Sequence, residues 1–301
     1  MVEGLSLAGI TETPIVVALA QRPGPATGLP TRTEQGDLLF ALHTAHGEFP
    51  RVVLAPGTPE EAFYLTNRAF GLAEKYQVPV IILTDQYLGD SQWTFDAFDL
   101  EKVHYSDQRL RGKALRQESA YRRHAFTKAG VTPLAVPGDS KHLVVTDSDE
   151  HDEEGHIIED AETRIRMVDK RLFRKLPHIR EEMPPPLLYG KEGPEVLLVG
   201  WGSTYGLLKE AVDVLSDRQS IAMLHFSGIY PFPEVETFDY MAILTQAKAA
   251  ICIENNATGQ FARLVRAETG FEFTLKINRY DGRPFTLDGL TGEIDALIGR
   301  L

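Results

Sequence analysis

The sequence predicts an α/β protein in which parallel sheets are flanked by helices. Three observations predict it. The apolar runs IVVALA (15–20), RVVLA (51–55) and PVIILTD (79–85) are short, continuous and rich in β-branched residues, as in strands covered on both faces. Helical patterns separate them, and strand–helix alternation is the signature of a parallel sheet. After an interruption over residues 92–190 the same alternation resumes.

Taken in order, VEGLSLAGITE reads as a helix stopped by Pro14, and IVVALA as the first strand. A loop follows, then a helix over TEQGDLLFALHTAH (33–46) and the strand RVVLA. The stretch PEEAFYLTNRAFGLAEKYQ (59–77) is an amphipathic helix with Pro59, Glu60 and Glu61 at its start and Phe63, Phe70 and Tyr76 near one stripe. PVIILTD closes this unit. Residues 92–190 are charged and aperiodic, with one helix at about 159–175 and the linker PPPLLYG. The second unit reads as strand EVLLVGWGS, helix YGLLKEAVDVLSD, strand SIAMLHFSG, a helix near 234–247, strand AAICIEN, helix TGQFARLVRAETG, strand FEFTLKINRY and closing helix GEIDALIGRL. The expected divisions are 1–95, 96–190 and 191–301.

The chain has 301 residues, 43% of them hydrophobic and 25% charged, the balance of a soluble globular protein. Its net charge of −12 argues against a nucleic-acid partner. No apolar run reaches the roughly 18–20 residues of a membrane span, and MVEGLSLAGITE lacks the basic start of a signal peptide; a cytoplasmic location is expected. The single cysteine, Cys252, lies in an apolar run and reads as a small buried hydrophobe, unable to hold an iron–sulfur cluster by itself.

Ligands of open parallel sheets gather at the carboxyl ends of the strands. The loop QRPGPATGLPTRTEQGDL (21–38) lies at such an end, with three prolines, three glycines, three threonines and two arginines. Its prolines restrict φ while Gly24 and Gly28 permit tight turns. Arg22 directly follows the strand, so its side chain belongs at the rim. Thr31 or Thr33 suits the cap of the next helix, and Thr31 with Glu34 would make a capping box. Free amides there favour an anion, and Arg22 has the fork to hold a carboxylate. The competing reading is a rigid connection with its arginines paired to nearby acids.

Other stretches read as architecture. GWGST (200–204) has glycines after a strand but neither a GxGxxG nor a GK[ST] pattern, so a tight turn is expected. In ENNATGQ (254–260), Thr258 reads as a helix cap. DSDEHDEEGH (147–156) matches neither an EF-hand nor HExxH and reads as a solvated acidic hairpin, so no metal ligands are assigned. His43 and His46 end a helix on the side away from the ligand rim.

The stretch QRPGPATGLPTRTEQGDL resembles the signature of the α subunit of 2-oxoacid:ferredoxin oxidoreductases, particularly the 2-oxoglutarate type. The similarity continues through HGEFPRVVLAPGTPEEAFYLTNRAFGLAEKYQVPVIILTDQYL, DSDEHDEEGHI, MVDKR, LLVGWGST and ENNATGQFARLVRAETG, and so covers nearly the whole chain. The resemblance implies a thiamine-diphosphate pyrimidine-binding domain, incomplete at its N-terminus, followed by a transketolase-C-terminal-like domain. It implies oxidative decarboxylation of 2-oxoglutarate, or of pyruvate or a branched-chain oxoacid, with coenzyme A and ferredoxin. It places magnesium, the diphosphate and a [4Fe–4S] cluster in a partner β subunit.

Carried onto this sequence, Arg22 matches the arginine that binds the oxoacid carboxylate. Thr27 and Arg32 are further substrate-binding candidates on the same loop, and Gly24 and Pro25 shape the wall near the cofactor. The loop reads RPGP where the family often has RGGP, so Pro23 removes one amide donor. In the family, MVEGLSLAG is internal. Its first strands, a YPITP-like threonine and the glutamate that contacts the aminopyrimidine lie upstream. No catalytic residue is therefore assigned here, and Glu3 and Glu12 read as acids of the first helix. A miscalled start, a split gene with another chain supplying the segment, and an inactive structural remnant are the open explanations. A transketolase-type transferase is a more distant alternative. A sheet short of its first strands is expected to expose an edge.

Overall fold

The computed structural model describes residues 1–118 and 120–300. Continuous apolar runs became two sheets. The first comprises β1 (Ile15–Gln21), β2 (Val52–Leu54), β3 (Pro79–Asp85) and a late strand, β9 (Gly228–Tyr230), in the order β1-β3-β2-β9. β1, β3 and β2 run parallel, and β9 joins antiparallel. The second sheet has the order β11-β10-β7-β8-β6, with β6 Leu187–Gly190, β7 Val196–Trp201, β8 Ile221–Phe226, β10 Ala249–Glu254 and β11 Leu275–Asn278. Only β6 is antiparallel to its neighbour in that sheet. Between the sheets in sequence, β4 (Arg109–Leu110) and β5 (Leu134–Ala135) form a short parallel pair.

Strand periodicity divides the side chains among three cores. In β2 and β3, Val53, Ile81 and Leu83 face a core shared with Val199, Trp201, Leu224 and Phe226 of the second sheet. Their neighbours Val52, Leu54, Val80 and Ile82 face α3 (Pro59–Tyr76) and α7 (Lys175–Glu181). The far face of the second sheet packs under α8 (Tyr205–Leu215) and α11 (Leu287–Ile298). The shared core holds the two units together.

Several expectations are corrected. β1 is not buried on both faces; it is the edge of its sheet and only partly buried, as the expected open edge requires. In α3 the buried stripe is Leu65, Ala69, Leu72, Ala73 and Tyr76, and Phe70 is exposed. Residues 70 and 76 are not helical neighbours, since contacts fall at three and four positions. The helix read at 33–46 shrinks to α2 (Leu38–His43), because residues before it bond to the second unit. α9 spans Tyr240–Gln246 and starts at the Asp239 cap, whose carboxylate accepts from Ala242 N at 2.9 Å. The last strand narrows to Leu275–Asn278, and the closing helix begins earlier, at Leu287. β6 and β9 went unread: β6 follows three prolines in what reads as a linker, and β9 pairs with a strand far away in sequence.

The first helix, α1 (Val2–Ile10), ends before Glu12, which is buried in a left-handed conformation and is not a helical acid. The aperiodic arm brings α4 (Gln86–Asp90), α5 (Gly112–Gln117) and α6 (Ala161–Val168). A π-helical segment, Asp169–Arg174, joins α6 to α7, so one helical run extends past the expected end at 175. It turns Lys170 and Lys175 onto the Glu12 carboxylate, with contacts of 2.5 and 2.6 Å.

Candidate functional site

The site begins where β1 and β3 end side by side, with Gln21 in register with Asp85. Asp85 is buried; its carboxylate accepts from Leu88 N at 3.0 Å and from the Ser203 hydroxyl. Burial pushes its pKa up, against those hydrogen bonds. Ser203 belongs to the GWGST stretch, which is the expected tight turn: Thr204 Oγ1 donates to Trp201 O at 2.8 Å and closes it. This contact brings the carboxyl ends of both sheets onto one rim.

The loop after β1 is held at both ends and open at its crest. Gln21 Oε1 accepts from Asp37 N at 3.1 Å across its base. Inside the crest, Leu29 N donates to Pro23 O at 3.0 Å. Gly28 has φ +48°, and a Cβ there would meet Pro23 O at 1.8 Å, so only glycine fits. The far end is tied to the second unit. Buried Gln35 donates from Nε2 to Trp201 O at 2.7 Å and accepts on Oε1 from Asn255 N at 2.9 Å. Gln260 brackets the next turn, donating to Gly36 O at 2.7 Å and accepting from Leu39 N at 2.9 Å.

These bonds overturn the capping reading. Asp37, not Thr31 or Thr33, is the N-cap of α2, and it makes no side-chain cap bond. Thr33 Oγ1 accepts instead from Tyr87 N at 3.3 Å. The amides of Asp37 and Leu39 at the start of α2 are taken by the Gln21 and Gln260 side chains. The Thr258 cap is replaced too. Asn256 Oδ1 accepts from Thr258, Gly259 and Gln260 N, and the Glu254 carboxylate accepts from Phe261 N and Ala262 N at 2.7 and 3.0 Å. Buried carboxylate and amide thus satisfy the start of α10 (Gln260–Thr269).

Arg22, Gly24, Pro25, Thr27 and Arg32 all lie exposed on the crest. Arg22 and Arg32 have no carboxylate within 4 Å among the described residues, so the reading in which these arginines are paired to acids fails. Asp37 is near enough to feel the Arg22 charge, but burial still raises its pKa. A Cβ on Gly24 would meet nothing nearer than Ala26 N at 3.9 Å, so the surface beside the Gly24–Pro25 bond is open. Gln35, Asp85, Ser203 and Gln260 support this crest. Sequence reasoning missed them because each works through a partner 100 or more residues away in sequence, or is an ordinary polar side chain in a loop.

The charged arm does different work. Glu12 sits before β1, at the opposite end of a seven-residue strand from Arg22, about 20 Å away at roughly 3.3 Å per residue. Burial would raise its pKa, but Lys175 and Lys170 hold it well below the usual carboxylate range. Burial brings Lys170 down to about 8 and His124, 3.3 Å from Glu12, down to about 4. Arg123 donates to the Thr11 and Glu12 carbonyls at 3.1 and 2.6 Å. The acidic stretch does form a hairpin, with Ile158 N on Glu150 O at 2.8 Å. It is not wholly solvated: His151 is buried, and Glu150 takes Arg171 at 2.7 Å. Cys252 is buried as expected, its thiol pKa pushed up by burial and by Glu254.

Comparison with known proteins gives three findings. The family model described as pyruvate flavodoxin/ferredoxin oxidoreductase, thiamine diphosphate-binding, matches residues 1–170. The α subunit of 2-oxoacid:ferredoxin oxidoreductase 1 of Sulfurisphaera tokodaii is 38% identical over 306 residues, covering 99% of this chain and 47% of the relative. The 2-oxoglutarate synthase subunit KorA of Archaeoglobus fulgidus is 32% identical over 235 residues, covering 78% and 59%. Among solved structures, the 2-oxoglutarate:ferredoxin oxidoreductase of Magnetococcus marinus, with 2-oxoglutarate, coenzyme A and succinyl-CoA bound, superposes with a TM-score of 0.89. It is 31% identical, and the match covers 99% of this chain and 51% of that one. The chain spans about half the length of the 2-oxoacid:ferredoxin oxidoreductase α subunits it matches.

Proposed function

The chain belongs to the pyruvate flavodoxin/ferredoxin oxidoreductase thiamine-diphosphate-binding family, and from that premise we propose that it forms the α-subunit portion of a 2-oxoacid:ferredoxin oxidoreductase. The reaction is oxidative decarboxylation: a 2-oxoacid, coenzyme A and oxidised ferredoxin give acyl-CoA, carbon dioxide and reduced ferredoxin. 2-Oxoglutarate is the proposed oxoacid. The KorA relatives and the Magnetococcus structure support that choice. We take 1–95, 96–190 and 191–301 as its working units, with β9 reaching back from the third to the first.

The observation that carries the reading is Arg22, a cation with no carboxylate within 4 Å among the described residues, on a loop clamped at both ends at the carboxyl end of β1. Its planar fork suits the C1 carboxylate of a 2-oxoacid, and a fixed carboxylate fixes the adjacent keto carbon. Thr27 and Arg32 stand on the same crest. The open surface at Gly24 and Pro25 fits the flat aminopyrimidine of thiamine diphosphate. When bound, that cofactor supplies the nucleophilic carbon for the keto group. Among the described residues, no three His, Cys, Asp or Glu side chains come together to hold a metal, and the one cysteine is buried. Following what the resemblance to α subunits implies, we propose that magnesium, the diphosphate and the [4Fe–4S] cluster are held by a partner β subunit.

The test is co-expression with a candidate β subunit, with and without the coding segment upstream of Met1, followed by CoA-dependent reduction of ferredoxin by 2-oxoglutarate, pyruvate and a branched-chain oxoacid. Activity that falls about 100-fold in kcat/KM with Arg22→Ala supports the reading, since lost hydrogen bonds to a charged group are worth about 3 kcal/mol. No turnover of any oxoacid by either assembly, both shown to be folded and cofactor-loaded, rejects it in favour of a structural remnant.

A further inference from the structure

The turn Arg279–Arg283 comes from the far end of the chain but packs against the opening loop. Thr33 N donates to Gly282 O at 3.3 Å. A Cβ on Gly282 (φ +77°) would lie 2.8 Å from Leu29 Cδ1, 3.2 Å from Arg32 Cβ and 3.5 Å from Pro23 Cγ. The positive φ and these contacts favour glycine there. Asn255 fastens the turn from beneath, donating from Nδ2 to Arg279 O at 2.8 Å. The backbone of Arg283 is therefore fixed beside that of Arg32.

The charges in this turn are distributed unequally. Asp281 is taken by Arg279, whose Nε and Nη2 reach it at 3.0 and 2.8 Å. The same carboxylate accepts from Arg283 N at 2.9 Å, which sets the shape of the turn. The Arg283 guanidinium is left exposed, with no carboxylate within 4 Å among the described residues, as is that of Arg32. Acids outnumber basic residues 43 to 31 in this chain. Placing like charges on adjacent segments without a counter-ion is unfavourable, so a rim where Arg32 and Arg283 have no carboxylate within 4 Å among the described residues is suited to receive anions.

Resting on the reading above, we propose that Arg283, together with Arg32, forms a second cationic subsite that holds an anionic group other than the C1 carboxylate. The group is either the far carboxylate of a dicarboxylic 2-oxoacid or the 3′-phosphate of coenzyme A. Both are anionic oxygens suited to an arginine fork. Arg283 is thereby a specificity-determining residue supplied by the second unit, and the Gly282 contact makes the site depend on both units.

The experiment is steady-state kinetics of the assembled complex carrying Arg283→Gln. The substrates are 2-oxoglutarate, 2-oxobutyrate (which lacks the far carboxylate), coenzyme A and 3′-dephospho-coenzyme A. If the far carboxylate is held, kcat/KM for 2-oxoglutarate falls about 10- to 100-fold and that for 2-oxobutyrate stays within twofold. If the 3′-phosphate of coenzyme A is held, kcat/KM for coenzyme A falls by that factor with either oxoacid and that for 3′-dephospho-coenzyme A stays within twofold. Either result supports the subsite. Unchanged ratios, or an equal loss for every substrate pair, overturn it while leaving the Arg22 reading intact. A parent complex inactive on all oxoacids overturns both.

Discussion

Replacing Glu12 by glutamine tests the arm most directly. The carboxylate is buried, and it touches Lys170 at 2.5 Å and Lys175 at 2.6 Å, both of which are also buried. Glutamine keeps the shape and one acceptor but removes the only negative charge that, among the described residues, contacts the two ammonium groups. Breaking a buried pair in this way costs about 3–5 kcal/mol, because the orphaned charges lose their counter-ion without regaining water. Against a typical stability of about 5–15 kcal/mol, that is a large fraction. The assay is urea unfolding at pH 7 of the purified chain or its complex, monitored by fluorescence, with Glu12→Gln beside Lys170→Met and the triple replacement Glu12→Leu/Lys170→Met/Lys175→Met. The single changes are expected to be strongly destabilising and the triple variant to recover most of the loss, since an apolar replacement of similar volume carries no desolvation penalty. A loss below about 1 kcal/mol for Glu12→Gln would show that the carboxylate does not balance the lysines, and the account of the arm would be wrong.

Other perturbations follow from the same geometry. Acidification should destabilise the fold between about pH 6.5 and 4. His124 and His225 are brought down to about 4 by burial, so the unfolded chain binds their protons first and each costs about 3 kcal/mol by pH 4; pH-dependent unfolding checks this. Below the ordinary carboxylate range the depressed Glu12 adds to the loss in the same direction. Gly28→Ala should cost about 1–3 kcal/mol from φ alone, with the Pro23 O clash in addition, and should impair oxoacid turnover before it unfolds the chain. Gln35→Ala leaves Asn255 N unpaired in a buried place and removes a bond to Trp201 O. It should lower stability by about 2–4 kcal/mol, measured by thermal unfolding. Arg22→Lys should also be impaired in kcat/KM, because lysine lacks the fork.

Continuous apolar runs made β1, β2, β3, β7, β8 and β10 legible, since burying such runs needs only a sheet and a cover. The opening loop was legible for a related reason: prolines, glycines and arginines at a strand end are local signals. Its capping was not. Thr31–Glu34 satisfies the local rule, but Asn255 and Gln260 offered the backbone better partners from more than 200 residues away. Arg283 gave no signal at all, because an arginine in DGR means nothing until Gly282 is seen against Leu29 and Arg32.

By itself, the sequence determined the α/β class and the turn-rich loop at the end of β1, because propensity, burial pattern and turn chemistry act over a few neighbours, while the roles of the residues on that loop came from the resemblance. Only the tertiary structure decided that β1 is an edge, that β9 returns to the first sheet, that Glu12 is the centre of a buried charge cluster, and which turn of the second unit packs beside the opening loop. Those depend on contacts between segments far apart in the chain, where the energy of a charge or hydrogen bond is set by what the fold places next to it.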